Sequence, residues 1–197
     1  QRKESVPAEG AALPDESNPV IIAGFGRFGQ IVGRILATRG IPFTGVLYAG
    51  LMLTPEGPKV VEFNCRFGDP ETQCLLPRVD DDIVEVMIAA ADGALDERPL
   101  RLSPEPCVAV VLAAAGYPGT PRAGDVITGL DDASATGVQV LHAGTASNAN
   151  GAIVTAGGRV LAVAARGPDV GTARQRAYAG ADLIHFDGRQ LRRDIGT

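Results

Sequence analysis

The 197-residue sequence predicts an α/β fold of the mixed α+β kind, and three observations carry that expectation. The apolar, β-branched run Asn18-Pro19-Val20-Ile21-Ile22-Ala23 leads into Gly24-Phe25-Gly26-Arg27-Phe28-Gly29 and a helical pattern from Gln30 to Thr38, which reads as a β-α unit. Next, the runs 45–52 and 57–61 flank Thr54-Pro55-Glu56-Gly57, where Pro and Gly supply the dihedrals of a tight reversal, so the pair reads as a hairpin. Beyond a boundary expected near residue 100, short apolar runs alternate with glycine turns.

Residues 1–17 are polar, with Pro7, Pro14 and several acids, and fit a flexible linker. Residues 18–39 read as a Rossmann-like β-α unit, with Gly24, Gly26 and Gly29 as a GxGxxG between the expected strand and helix. In a dinucleotide site the first glycine makes the turn, the second admits the pyrophosphate and the third lets helix and strand approach. These three glycines are the candidate cofactor-binding residues. The acid expected about twenty positions on is missing. Thr44-Gly45-Val46-Leu47-Tyr48 stands there instead, the next acid, Glu56, falls in the hairpin turn, and a lone half-unit cannot enclose a dinucleotide.

The second arm of the hairpin continues into Glu62-Phe63-Asn64-Cys65-Arg66-Phe67-Gly68-Asp69-Pro70-Glu71-Thr72-Gln73. Side chains two apart on a strand share a face, so Glu62 and Asn64 can aim two oxygens at one Mg2+. Val60, Val61, Phe63 and Phe67 are the expected buried partners, and Pro70 fixes the exit of the turn. From about Gly40 to its end the sequence resembles phosphoribosylamine-glycine ligase (GAR synthetase), an ATP-grasp family of purine biosynthesis, with Arg66 to Gln73 looking like the family's signature octapeptide. The resemblance implies that residues 40–100 form the ATP-grasp C-terminal lobe and that residues 101–197 form the family's small, β-rich C-terminal domain. It also implies that Glu62 and Asn64 hold the Mg2+ (or Mn2+) bridging the ATP phosphates, while Arg66, Asp69 and Glu71, the candidate catalytic residues, shape the phosphate and substrate site.

Asp80-Asp81-Asp82 suit the start of a helix whose expected apolar face is Ile83, Val84, Met87, Ile88 and Ala91, closed by Gly93. Leu95 to Pro106 reads as a loop. Val108 to Ala114 and Gln139 to Ala143 read as strands, and Ala152 to Ala156 with Val160 to Ala165 as a hairpin on Gly157-Gly158-Arg159. Thr172 to Ile184 reads as a helix burying Ala173, Ala177, Ala181 and Ile184. Gly116-Tyr117-Pro118-Gly119, His142-Ala143-Gly144-Thr145, Gly157 to Leu161 and Arg192 to Gly196 resemble the GAR synthetase C-terminal domain. For His142 a local hydrogen bond is the plainer expectation.

Net charge is -5 with no basic run, which argues against a nucleic-acid surface. No window approaches the roughly eighteen uninterrupted apolar residues a spanning helix needs. The N-terminus is polar and charged rather than basic then apolar, so no leader peptide is expected. Cys65, Cys74 and Cys107 are odd in number and lack metal spacing, and with His142 and His185 far apart this fits a reduced, cytoplasmic setting without zinc.

Residues 18 to 37 resemble the start of the cytoplasmic nucleotide-binding domain of glutathione-regulated potassium-efflux antiporters, so the chain reads as a chimera joined near residues 38–42. Three readings follow. The first is a fragment of a carbon-nitrogen ligase that converts ATP, glycine and phosphoribosylamine to GAR through an acyl phosphate, weakly active or inactive alone. The family builds its ATP site from two lobes, and only the one with the metal pair has a counterpart here. The second is a nucleotide-binding regulatory module related to the antiporters. The third is an inactive chimera whose imported β-α unit merely completes a sheet.

Overall fold

The computed structural model describes residues 20–23, 39, 45–95 and 100–197. In chain order the elements are β1 (Val20–Ala23), β2 (Gly45–Thr54), β3 (Gly57–Asn64), α1 (Thr72–Leu75), α2 (Ile83–Ala91), β4 (Cys107–Ala113), α3 (Leu130–Ala135), β5 (Gln139–His142), β6 (Thr145–Ser147), β7 (Ile153–Thr155), β8 (Arg159–Arg166) and α4 (Val170–Leu183). A 3-10 turn, Leu76–Arg78, follows α1. The chain divides into two compact units, crossing between them at Gly68/Asp69, Asp81/Asp82 and Pro99/Leu100. Among the described residues no helix is long and apolar enough to cross a membrane.

In the first unit, β1, β2 and β3 form one sheet in that order, β1 parallel and β3 antiparallel to β2. The hairpin is the one read from the sequence. Gly57 takes φ +106°, a region that a Cβ disfavours, and the Thr54 hydroxyl donates to the Gly57 carbonyl at 2.8 Å. A register shift after Gly50 leaves Val61 as the extra residue of a bulge. Val60, Val61 and Phe63, expected to be buried, are instead 45%, 65% and 48% exposed. The period-2 pattern fixes which side chains share a face of β3, but β3 is the edge of its sheet, and an edge position does not by itself bring a covering layer.

The helix α2 follows its acidic start. The Asp82 carboxylate caps it, accepting from the N–H groups of Val84 and Glu85 at 2.9 and 3.3 Å, and Gly93 closes it at φ +70°. Its buried face differs from the expected one: Val84 and Ile88 lie open, while Ile83, Val86, Met87 and Ala90 form the inner stripe. Both stripes have helical spacing in a run that is apolar almost all round. Periodicity alone therefore cannot choose between them.

In the second unit β8 is the central strand of the order β4-β8-β5, antiparallel to both neighbours, and β6 pairs with β7 in a separate two-stranded sheet. The expected hairpin across Gly157-Gly158-Arg159 does not form. Val160 to Ala165 are buried without a break, which suits a strand with partners on both sides rather than one arm of a hairpin. The glycines make a corner instead. Gly144 N–H donates to the Arg159 carbonyl and Ala156 N–H to the Gly144 carbonyl, both at 2.8 Å, and a Cβ on Gly144 would sit 2.7 Å from Gly157 Cα.

Against this sheet lies α4, with Ala173, Ala177, Ala181 and the following Ile184 fully buried, as the sequence stripe predicts. The helix starts ahead of Thr172 because Asp169 caps it, its carboxylate accepting from the Thr172 N–H at 2.7 Å. Those hydrogen bonds from Thr172 hold the Asp169 carboxyl below its ordinary range. Leu112 has no exposed surface in this core. Leu112→Ala is expected to lower the unfolding free energy by about 2–5 kcal/mol, read from the urea midpoint. A loss below about 1 kcal/mol would contradict the packing described.

Candidate functional site

The two residues proposed as metal ligands lie side by side on β3. Asn64 Nδ2 donates to Glu62 Oε1 at 2.9 Å, which places both side chains on one face of the strand, as the period of two requires. Gly50 stands opposite Glu62 in the register, and a Cβ there would lie 3.2 Å from Glu62 Cγ. The glycine thus leaves room for the carboxylate to lie across the hairpin. Glu62 is exposed and Asn64 half-buried, so both reach solvent. A carboxylate and a carboxamide are hard oxygen donors, and the pair fits a cation that keeps waters and phosphate oxygens in the rest of its shell. Among the described residues no three His, Cys, Asp or Glu side chains cluster to form a fuller metal cage.

Arg66, also in the first unit, is exposed, and its Nη1 donates to the neighbouring Phe67 carbonyl at 2.7 Å. Asp69 and Glu71 belong to the second unit. Asp69 precedes a cis bond to Pro70, and its Oδ1 accepts from Gln73 Nε2 at 2.9 Å. The Glu71 carbonyl starts α1 by accepting from the N–H groups of Cys74 and Leu75, both at 3.0 Å, while its side chain stays exposed. Gly24, Gly26 and Gly29 lie outside the described residues.

One cation holds the Asp69 turn. Arg159, the first residue of β8, donates from Nη1 to the Asp69 carbonyl at 2.6 Å and stands 3.3 Å from its Oδ2, while its Nε donates to the Tyr117 hydroxyl at 3.1 Å. The Tyr117 hydroxyl first, then the Asp69 carboxylate, favour the charged guanidinium. Tyr117 is itself packed on glycine, since a Cβ on Gly158 would fall 2.4 Å from its ring.

Residues 107–197 match the family described as Phosphoribosylglycinamide synthetase, C domain, and residues 29–72 match Phosphoribosylglycinamide synthetase, ATP-grasp (A) domain. The chain is similar to the C-terminal part of GAR synthetase. Among its relatives, the phosphoribosylamine–glycine ligase of Mesorhizobium japonicum is 52% identical over 163 residues, covering 83% of this chain and 38% of that protein. The ligase of Streptomyces coelicolor is 53% identical over 163 residues, covering 81% and 39%. The crystal structure of phosphoribosylamine–glycine ligase from Thermotoga maritima superimposes with a TM-score of 0.65 at 36% identity, over 75% of this chain and 36% of that one. N5-carboxyaminoimidazole ribonucleotide synthetase from the same organism shares the fold at a TM-score of 0.58 and 18% identity, over 81% and 41%. The chain therefore spans about two-fifths of the length of these proteins. Its fold is the mixed α/β fold of an ATP-grasp lobe followed by a small β-rich region that is similar to the GAR synthetase C domain. The ATP-grasp match begins at residue 29, ahead of Gly40, where the resemblance read from the sequence starts.

Of the motifs that resemble the GAR synthetase C domain, His142 keeps to a local contact, its Nδ1 lying 3.0 Å from the Thr145 hydroxyl. Arg159 and Tyr117 carry no role in the sequence reading, because no local spacing links them to Asp69 across so much chain. Arg159→Ala is expected to cost about 1–2 kcal/mol of stability, since it removes a charge-assisted hydrogen bond from a partly exposed site. Lysine should restore only part of it, because a single ammonium cannot serve Asp69 and Tyr117 in the fork geometry. Urea melts of the two variants check this, and an unshifted Arg159→Ala midpoint would contradict it.

Proposed function

We propose that the chain supplies the C-terminal part of an ATP-dependent carbon-nitrogen ligase that joins glycine to phosphoribosylamine in cytoplasmic purine biosynthesis. The observation that carries this reading is the 52% identity over 83% of the chain to a phosphoribosylamine–glycine ligase. In that reaction ATP phosphorylates the glycine carboxylate, and the amine of phosphoribosylamine then displaces phosphate from the acyl phosphate.

In this reading Glu62 and Asn64 hold the divalent cation, Mg2+ or Mn2+. The carboxamide of Asn64 now turns its nitrogen to Glu62, and rotating it by half a turn presents its oxygen on the same face. The bound cation offsets the negative charge of the ATP phosphates. Arg66, exposed, meets phosphate oxygens with its planar fork. Asp69, its backbone held by Arg159, and the exposed Glu71 offer carboxylates to the cationic or N–H groups of the substrates.

For the start of the chain we propose that the β-α unit with Gly24, Gly26 and Gly29, whose last glycine already falls within the ATP-grasp match, completes the sheet through β1. The parallel pairing of β1 with β2 supports this. Without the ribose-binding acid or a second wall, NAD and NADH bind weakly there.

The test of the ligase reading is a transplant. Residues 29–197 replace the corresponding part of the Mesorhizobium japonicum ligase, and ADP release is measured with glycine and phosphoribosylamine both required. Turnover within about tenfold of the parent is expected, a barrier change of about 1.4 kcal/mol. A folded hybrid that releases no substrate-dependent ADP would overturn it.

A further inference from the structure

Outside the candidate site, the second unit brings two cysteines together. Cys74 lies on α1 and Cys107 opens β4. The Cys107 Sγ stands 4.0 Å from the carbonyl oxygen of Gln73, the residue before Cys74, and each thiol shifts the proton affinity of the other. Both are half-buried and neither is in a disulfide. Cys107 also forms part of the wall of a cavity with Glu105, Gln139, Arg166 and Arg176. Positive charge is close by. Arg166 lines the same cavity, and the buried Nε of Arg78 has no hydrogen-bond partner among the described residues.

We propose that Cys107 and Cys74 are a peroxide-responsive dithiol, with Cys107 as the attacking sulfur and Cys74 as the resolving one, which closes to a disulfide joining α1 to β4. This goes beyond the ligase reading and does not depend on it. The neighbouring Cys74 thiol favours the Cys107 thiolate, with Arg166 and Arg78 adding to the effect against the cost of burial; together they lower Cys107 to about 7. The same pairing, with burial, pushes Cys74 up, so it stays a thiol.

The chemistry balances with hydrogen peroxide as the oxidant. The Cys107 thiolate attacks one peroxide oxygen, the O–O bond breaks, and a sulfenic acid and hydroxide result, the hydroxide taking a proton to become water. The Cys74 sulfur then attacks the Cys107 sulfur: its S–H proton and the sulfenic hydroxyl leave as a second water, and the S–S bond forms. Two thiols lose two electrons and one peroxide becomes two waters. The position matters because α1 follows directly on Asp69 and Glu71. A bond from Cys74 to β4 therefore fastens the segment that carries the Asp69 turn.

The test treats the full chain with hydrogen peroxide at pH 7, blocks remaining thiols with N-ethylmaleimide and maps the peptides by mass spectrometry. A cross-linked peptide pair containing Cys74 and Cys107, lost on dithiothreitol treatment, is expected, with Cys65 still alkylated. Loss of the Cys107 thiol should run roughly five- to tenfold faster than that of glutathione in the same solution, because Cys74, Arg166 and Arg78 favour its thiolate. Cys74→Ser should leave a Cys107 adduct with dimedone, and Cys107→Ser should leave Cys74 alkylated. Preferential oxidation of Cys65, oxidation of Cys74 at the wild-type rate in Cys107→Ser, or full alkylation of both Cys74 and Cys107 in the treated wild-type chain would each overturn the proposal.

Discussion

A polypeptide of these 197 residues, assayed alone, is expected to release ADP from ATP, glycine and phosphoribosylamine at least about a thousandfold more slowly than the transplanted ligase. Phosphoryl transfer depends almost wholly on positioning and on charge stabilisation at the transferred group. The chain spans 38% of the Mesorhizobium japonicum ligase. Within it the groups proposed to face phosphate are Glu62 and Arg66, both exposed, and the half-buried Asn64. Water at such a site weakens each electrostatic contact, and a deficit of about 4 kcal/mol in the transition state is a factor of about a thousand. The coupled ADP-release assay checks this. Turnover near one per second by the chain alone, within the ordinary enzyme range, would show that these residues suffice.

Replacing Glu62 by glutamine in the transplanted ligase is expected to cut turnover by roughly 10- to 100-fold at fixed Mg2+. The change keeps the shape and removes one formal charge. A carboxylate bound to a cation contributes about 1.5–3 kcal/mol more than a neutral group can return, which corresponds to that range. Because Gly50 leaves the space beside Glu62 open, the glutamine meets no new clash, so the loss should not be a folding defect. Raising the Mg2+ concentration should recover part of the rate. Equal turnover and equal Mg2+ dependence in the two proteins would remove Glu62 from the metal site.

Much of the first unit's hairpin was legible because its determinants are local. Thr54, Pro55, Glu56 and Gly57 define a reversal, and the period of two then fixes Glu62 and Asn64 on one face. The alanine stripe of α4 was legible for the same reason, its spacing being unambiguous in a helix with polar residues between. Elsewhere the sequence left the choice to tertiary structure. The apolar residues of α2 offer two stripes of equal spacing, and the stripe Ile83, Val86, Met87 and Ala90 is the one that turns inward. The run Val160 to Ala165 announced burial but not partners. Its neighbours β4 and β5 come from distant parts of the chain, and the glycines that looked like a hairpin turn form a corner between two sheets. Of the candidate site, the Glu62–Asn64 pair could be read from three adjacent positions. The clamp of Arg159 and Tyr117 on Asp69 could not, since it joins three segments that meet only in the fold.

The metal role of β3 is open to one direct reading. Mn2+ replaces Mg2+ in the transplanted ligase, and the electron paramagnetic resonance signal of free Mn2+ is followed as ATP is present throughout and protein is added. Six-coordinate Mn2+ held by protein and phosphate oxygens loses the sharp signal of the free ion. The wild-type hybrid is predicted to deplete that signal well beyond ATP alone, whereas the Glu62→Gln hybrid, equally folded, leaves it close to the ATP control. Identical depletion by the two proteins would contradict the assignment of Glu62 and Asn64 as the groups that hold the cation.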